Sequence, residues 1–270
     1  MKPVHSVLAL ALLAALPVAA HAERGFEVRD LATLDRVSSP VLSPDGRKVV
    51  FAKRVVDFPA NKSATSLWIE DLAARDAAPP VRFTPEGWNV NSPEFSADGT
   101  RVYFLNAKSG SMQLYAQPVA GGAPVQLTDI AGDVGGFKIS PDGKRVALAA
   151  EAFADCKSDF ACNVKRTKDA EANKASGKVF DRLFIRHWDA WNEGKLNRIF
   201  VADLQDGAKI TQAPLVGGDV RGDVPSRPFG DMSEMAWSPD GKSLVLSARK
   251  ADNEEPWSTN FDLYLSLIHI

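Results

Sequence analysis

Apolar and polar positions alternate along most of this chain in short runs, and a turn rich in Pro, Asp and Gly stops each run. Four of those turns share one pattern: Ser43-Pro44-Asp45-Gly46, Ser96-Ala97-Asp98-Gly99, Ser140-Pro141-Asp142-Gly143 and Ser238-Pro239-Asp240-Gly241. Pro presets φ, and Gly tolerates φ > 0, so each unit suits a tight hairpin. A β-rich run follows every turn: Lys48–Phe51, Arg101–Phe104, Arg145–Leu148 and Ser243–Leu246. Short runs such as Pro93–Phe95 and Met235–Trp237 precede it and predict the partner strand. Third strands are predicted at Leu67–Ile69, Gln113–Ala116, Arg198–Val201 and Asp262–Tyr264, and fourth strands at Val81–Thr84, Val125–Thr128 and Lys209–Thr211.

The turns are 53, 44 and 98 residues apart, the last being close to two periods or one period with an insertion. Four short antiparallel strands in a period of about 40–50 residues predict an all-β chain of propeller blades of the TolB or WD40 kind. A β-sandwich with similar hairpins has no reason to repeat one turn at one place. The third unit is interrupted over about residues 151–196, which hold a two-cysteine loop, a polar helix-like stretch from Asn163 to Ala175, and the run Phe180–Trp191. Insertions of this size usually cover a face or an opening, which makes this segment the first place to look for function.

The N-terminus has a different pattern. Lys2 precedes an apolar stretch from Val7 to Leu16, and Ala20-His21-Ala22 is a small-x-small cleavage sequence. Residues 1–22 therefore read as a signal peptide, with the mature chain from Glu23 exported to a periplasm or secreted. The alternative is an uncleaved anchor, for which the apolar stretch is short. The net charge of −2 gives no basic field for nucleic acid or a membrane surface. In an oxidising compartment, Cys156 and Cys162 read as a disulfide closing a small loop; two free thiols are the alternative, and a metal site lacks partner ligands. At the other end, Leu265–Ile270 reads as a translation of a transposase sequencing adapter, so the partial propeller is assigned to 23–264 and residues 265–270 are expected to be foreign to the gene.

The opening Asp30–Pro40 leading into the first turn resembles the start of bacterial S9 (prolyl oligopeptidase family) serine peptidases. Arg186-His187-Trp188-Asp189 and Trp257–Tyr264 resemble the dipeptidyl-peptidase V and acylaminoacyl-peptidase branch. The resemblance implies a propeller of seven or eight blades, of which about four are present here. It also implies a C-terminal α/β-hydrolase domain, outside this sequence, that carries a Ser, Asp, His triad. No Gly-x-Ser-x-Gly elbow occurs in the chain, so no catalytic residue is assigned and the fragment is expected to be inactive. The implied role is substrate gating in a peptidase that releases dipeptides or acylated amino acids from short peptides, with no cofactor or metal. Arg186, His187 and Asp189 are the candidate substrate-binding residues, against a structural alternative in which Trp188 and Trp191 pack and the polar groups hydrogen-bond. Glu254-Glu255 resembles the paired glutamates of some dipeptidyl peptidases but sits in a turn-like link and reads as a solvated loop. A non-enzymatic TolB-like binding propeller is the other class of function, although TolB carries a separate domain before its first blade.

Overall fold

The computed structural model describes residues 24–73, 78–180, 183–191, 193–218, 220, 222–249 and 255–267. The expected signal peptide lies outside the described residues, apart from which a short helix, α1 (Val28–Thr33), precedes the first strand.

Four antiparallel sheets follow in chain order. Sheet I holds β1 (Arg36–Leu42), β2 (Lys48–Asp57), β3 (Lys62–Asp71) and β4 (Val81–Arg82). Sheet II holds β5 (Val90–Phe95), β6 (Arg101–Asn106), β7 (Gln113–Pro118) and β8 (Val125–Gln126). Sheet III starts with β9 (Gly136–Ile139) and β10 (Arg145–Phe153). The chain then leaves through α2 (Phe160–Ala172) and a hairpin of β11 (Arg186–His187) and β12 (Ala190–Trp191). It returns as β13 (Lys195–Asp203) and β14 (Leu215–Val216). Sheet IV comprises β15 (Met235–Trp237), β16 (Ser243–Ala248) and β17 (Asp262–Leu267). No helix among the described residues is long and apolar enough to cross a membrane.

One hydrogen-bond unit closes the first hairpin of every sheet. The serine hydroxyl donates to the aspartate carboxylate at 2.6 Å in all four turns. The same oxygen accepts from the amide five residues on, at 2.9–3.0 Å. The aspartate in turn accepts from the amide two residues on, at 3.0–3.1 Å. The glycine that ends each unit has φ between 66° and 71°, where a side chain is strained. Ser, Asp and Gly are thus each required by the local geometry, which is why the pattern recurs in the sequence.

The core is three layers between successive sheets. Val50, Ala52 and Leu67 of sheet I pack on Phe95, Val102, Phe104 and Tyr115 of sheet II. Tyr103, Leu105 and Leu114 of sheet II meet Phe137, Val146, Leu148 and Phe200 of sheet III. Ala149, Ile199 and Val201 of sheet III meet Met235, Leu244 and Leu246 of sheet IV. The middle strands β6, β7 and β10 are therefore buried on both faces, whereas β16 alternates between buried and half-buried. On the outer face of sheet IV, Leu263 is 76% exposed and Leu265 66%.

Two strands differ from the sequence reading. Lys209–Thr211 does not add to sheet III: the Ile210 amide donates to the Leu127 carbonyl (2.8 Å) and its carbonyl accepts from Asp129 (2.7 Å), so the segment lies along sheet II. The fourth strand of sheet III is Leu215–Val216, five residues later. Leu265, Ser266 and Leu267 continue β17, opposite Val245, Leu244 and Ser243, and residues 268–270 lie outside the described residues.

Candidate functional site

The first strands of the sheets border a cavity of about 1350 Å³. Pro40 and Val41 of β1, Pro93 and Glu94 of β5, and Gly136 and Lys138 of β9 contribute to its wall, as does Met232 just before β15. Gly136 leaves room for Met232: a Cβ at that position would stand 2.7 Å from the Met232 side chain and push it aside.

Two further segments wall the cavity. The first is α2, whose Asn163, Thr167 and Lys168 face it. Four devices fix the N-terminal end of this helix. Cys156 and Cys162 are joined by a disulfide, with Cys156 buried. Asp159 caps the helix by accepting from the Cys162 amide at 2.9 Å, which satisfies one of its free donors. Asn163 clasps the strand below: its Oδ1 accepts from the Phe153 amide (2.7 Å) and its Nδ2 donates to the Asp159 carbonyl (3.0 Å). Phe160 is buried beside Phe200, with ring centroids 4.7 Å apart.

The second segment runs between sheets III and IV and straps across β13. Asn197 receives it on both sides, donating its amide to Asp223 Oδ1 (2.7 Å) and its Nδ2 to the Pro225 carbonyl (2.8 Å). Arg227 ties the strap to Glu151 of β10 at 2.5 Å. The Ser226 amide and hydroxyl both donate to the Glu234 carboxylate at 2.6 Å. Gly230 approaches Ser226 so closely that a Cβ would meet its backbone at 2.4 Å.

Inside the cavity the charge pattern is uneven. Glu94 is largely buried, and burial pushes its carboxyl up to about 7. It accepts one hydrogen bond, from the Ile139 amide at 3.3 Å. Lys138 stands nearby, but its ammonium donates to the carbonyls of Met235 (2.8 Å) and Met232 (3.4 Å). Among the described residues, no group of three or more His, Cys, Asp or Glu side chains is placed to hold a metal ion.

No known family's sequence profile matches the chain. Dipeptidyl-peptidase 5 of Porphyromonas gingivalis is 32% identical over 236 residues, which cover 86% of this chain and 32% of that protein. Dipeptidyl-peptidase 5 of Porphyromonas endodontalis is 31% identical over 237 residues, 87% of this chain and 32% of that protein. The chain is a relative of the dipeptidyl-peptidase 5 proteins. It spans about a third of the length of these curated relatives. In fold it is similar to Pyrococcus horikoshii acylaminoacyl peptidase, with a TM-score of 0.57 at 14% identity over 90% of this chain and 32% of that one. An acylaminoacyl peptidase in complex with Z-Gly-Gly-Phe-chloromethyl ketone is similar at a TM-score of 0.56 and 12% identity, covering 90% of this chain and 34% of that one.

The residues singled out in the sequence fall in three places. Arg186 and Asp189 are exposed on the β11–β12 hairpin, and neither lines the cavity; His187 lies in β11. Trp188 is 77% exposed and meets Phe229 of the strap edge-on at 5.4 Å, which ties the hairpin to the strap. Trp191 packs on Phe180 at 5.8 Å. Glu255 is not solvated: it accepts from Arg249 at 3.0 Å, and both side chains are largely buried. Glu94, by contrast, belonged to a run read from the sequence only as a strand, and the one signal it offers is an acidic residue between Pro93 and Phe95 in an apolar period.

Proposed function

We infer that the four sheets are blades of a β-propeller and that this propeller is the gating part of an exported S9-type serine peptidase. The observation that carries the reading is the 32% identity to a dipeptidyl-peptidase 5 across 86% of the chain, in a fold similar to acylaminoacyl peptidase. The catalytic triad belongs to an α/β-hydrolase domain outside this chain, where Ser attacks the peptide carbonyl, His moves the proton and Asp orients His. This chain's own residues admit and orient short peptides. The cavity is the passage, and the hairpin bearing Arg186, His187 and Asp189 meets a peptide terminus at its rim. The peptide-derived ketone bound by the acylaminoacyl peptidase of similar fold is of the size class this passage would admit. Dipeptides or acylated amino acids are the products released.

The test compares the full product of the gene with the 270-residue chain. The full product should release chromophore from dipeptide or acylaminoacyl substrates and take up a fluorophosphonate probe, while the chain alone does neither. Stoichiometric labelling of a serine in the chain alone, or no hydrolysis by the full product, rejects the reading. N-terminal sequencing of the exported form should begin at Glu23.

A further inference from the structure

The connector from α2 to the β11–β12 hairpin is held at its two ends and nowhere between. Asn173 to Val179 are all exposed and lie outside any helix or strand. At the near end, the Asn173 amide donates to the Ala170 carbonyl at 3.2 Å and closes the helix. At the far end, Lys178 pairs with Glu193 at 2.8 Å and Phe180 stacks on Trp191. Among the described residues, the backbone between these anchors makes one hydrogen bond, from the Ala175 amide to Asn173 Oδ1 at 3.0 Å. A Cβ added to Gly177 would meet nothing within 4 Å, so the main chain stands clear of its surroundings there. Lys174 enters no ion pair or hydrogen bond among the described residues. Most other Lys and Arg side chains among them sit on strands or helices or in turns closed by backbone bonds, where cleavage must wait for local unfolding.

We propose that this connector is a proteolytic processing site, cut after Lys174 by an endopeptidase whose specificity pocket is acidic. Such an enzyme needs extended backbone on both sides of the bond and a free cationic side chain, and an exposed link of small and polar residues offers both. The C–N bond between Lys174 and Ala175 breaks as the hydroxyl of a water joins the Lys174 carbonyl carbon and its other hydrogen joins the Ala175 nitrogen. The proton of the new acid then passes to the new amine. The cut does not part the two pieces. β10 precedes it and β13 follows it, and they pair at every position from Arg145↔Asp203 to Phe153↔Lys195. Phe160 on one piece packs against Phe200 on the other. Cys156 and Cys162 both precede the cut, so the disulfide does not bridge the pieces but keeps the start of α2 in place. The other end of α2 loses its tether. Thr167, Lys168 and Glu171 of that end wall the cavity, so its last turn is released to lift away and widen the opening. The inference concerns access to the cavity and does not depend on which ligand enters.

Brief digestion of the native 270-residue chain with trypsin, followed by intact-mass analysis, tests this. The sequence holds 32 Lys and Arg, yet the first cut between β1 and β17 should create an N-terminus at Ala175. The two pieces should co-elute in gel filtration and separate in denaturant with no reductant present. Lys174→Gln, at an exposed position, should leave the fold intact and lose the Ala175 terminus. Hydrogen exchange of the cut chain should rise at 168–172 and stay unchanged at 160–163. A first cut elsewhere between β1 and β17, or an Ala175 terminus that survives Lys174→Gln, overturns the site. Pieces that part in native buffer, or unchanged exchange at 168–172, overturn its role at the cavity.

Discussion

A largely buried carboxylate with one long hydrogen bond is held in the folded chain at a cost that depends on pH. Glu94 binds its proton more tightly in the folded than in the unfolded chain, so stability falls as pH rises from about 4.5 to about 7. Glu94→Gln should therefore gain on the unaltered chain across that window, by about 3 kcal/mol at most; denaturant melts at pH 5 and pH 8 would show it, and parallel curves would contradict it. The turn aspartates act in the opposite sense. Their serine and backbone donors hold them below the ordinary value, Asp98 at about 2, so their stabilisation is present above pH 4 and is lost towards pH 2. In the same turns Ser140→Ala removes both the donor to Asp142 and the acceptor for the buried Arg145 amide, and should cost about 1–3 kcal/mol by thermal melting. Arg186 and Asp189 are exposed, so replacing either with Ala in the full enzyme should leave melting nearly unchanged and lower kcat/KM about ten- to a hundredfold. A large drop in melting temperature with kcat/KM intact would mark the pair as structural instead.

Among the elements, the excursion from sheet III depends most on local anchoring. A disulfide closing so short a loop stabilises by about 2 kcal/mol, and Cys156→Ser with Cys162→Ser should lower stability by that amount with α2 still present, because Phe160 and Asn163 hold the same helix end. Phe160→Ala should cost more, about 3–5 kcal/mol; comparing the two by calorimetry ranks the anchors, and the reverse order would show that packing is the weaker one. This element was half legible in the sequence. A polar stretch with few strand formers announced a helix, and its start at Phe160 rather than Asn163 follows from the cap that Asp159 supplies. The repeated hairpins were readable because Ser, Asp and Gly each answer to contacts within six residues. Ile210 was misread for the converse reason: its apolar neighbourhood fits a strand, but the partner it takes, Leu127, is set by packing between sheets. The cavity was unreadable, since Pro93, Gly136 and Met232 come from separate strands and linkers and share no spacing.

At the scale of the whole molecule, each sheet packs on its neighbours in sequence through three core layers among the described residues. Such a stack has a stability that is a sum of unit and nearest-neighbour terms, so weakening one layer should split the unfolding transition rather than shift it whole. Leu148→Ala, between sheets II and III, divides the stack in the middle and should broaden calorimetric melting into two components; a single sharp transition would mean that the sheets unfold as one. The half-covered outer face of sheet IV has a consequence in time as well as in energy. Amide protons of β6, β7 and β10, shielded on both sides, should exchange with deuterium only when the stack opens globally. Those of β16 and β17 exchange through cheaper local openings, so protection should climb from the end sheets to the middle. That gradient turns position in the row into a clock: the order in which strands take up deuterium should read out how far each sheet lies from an end of the row.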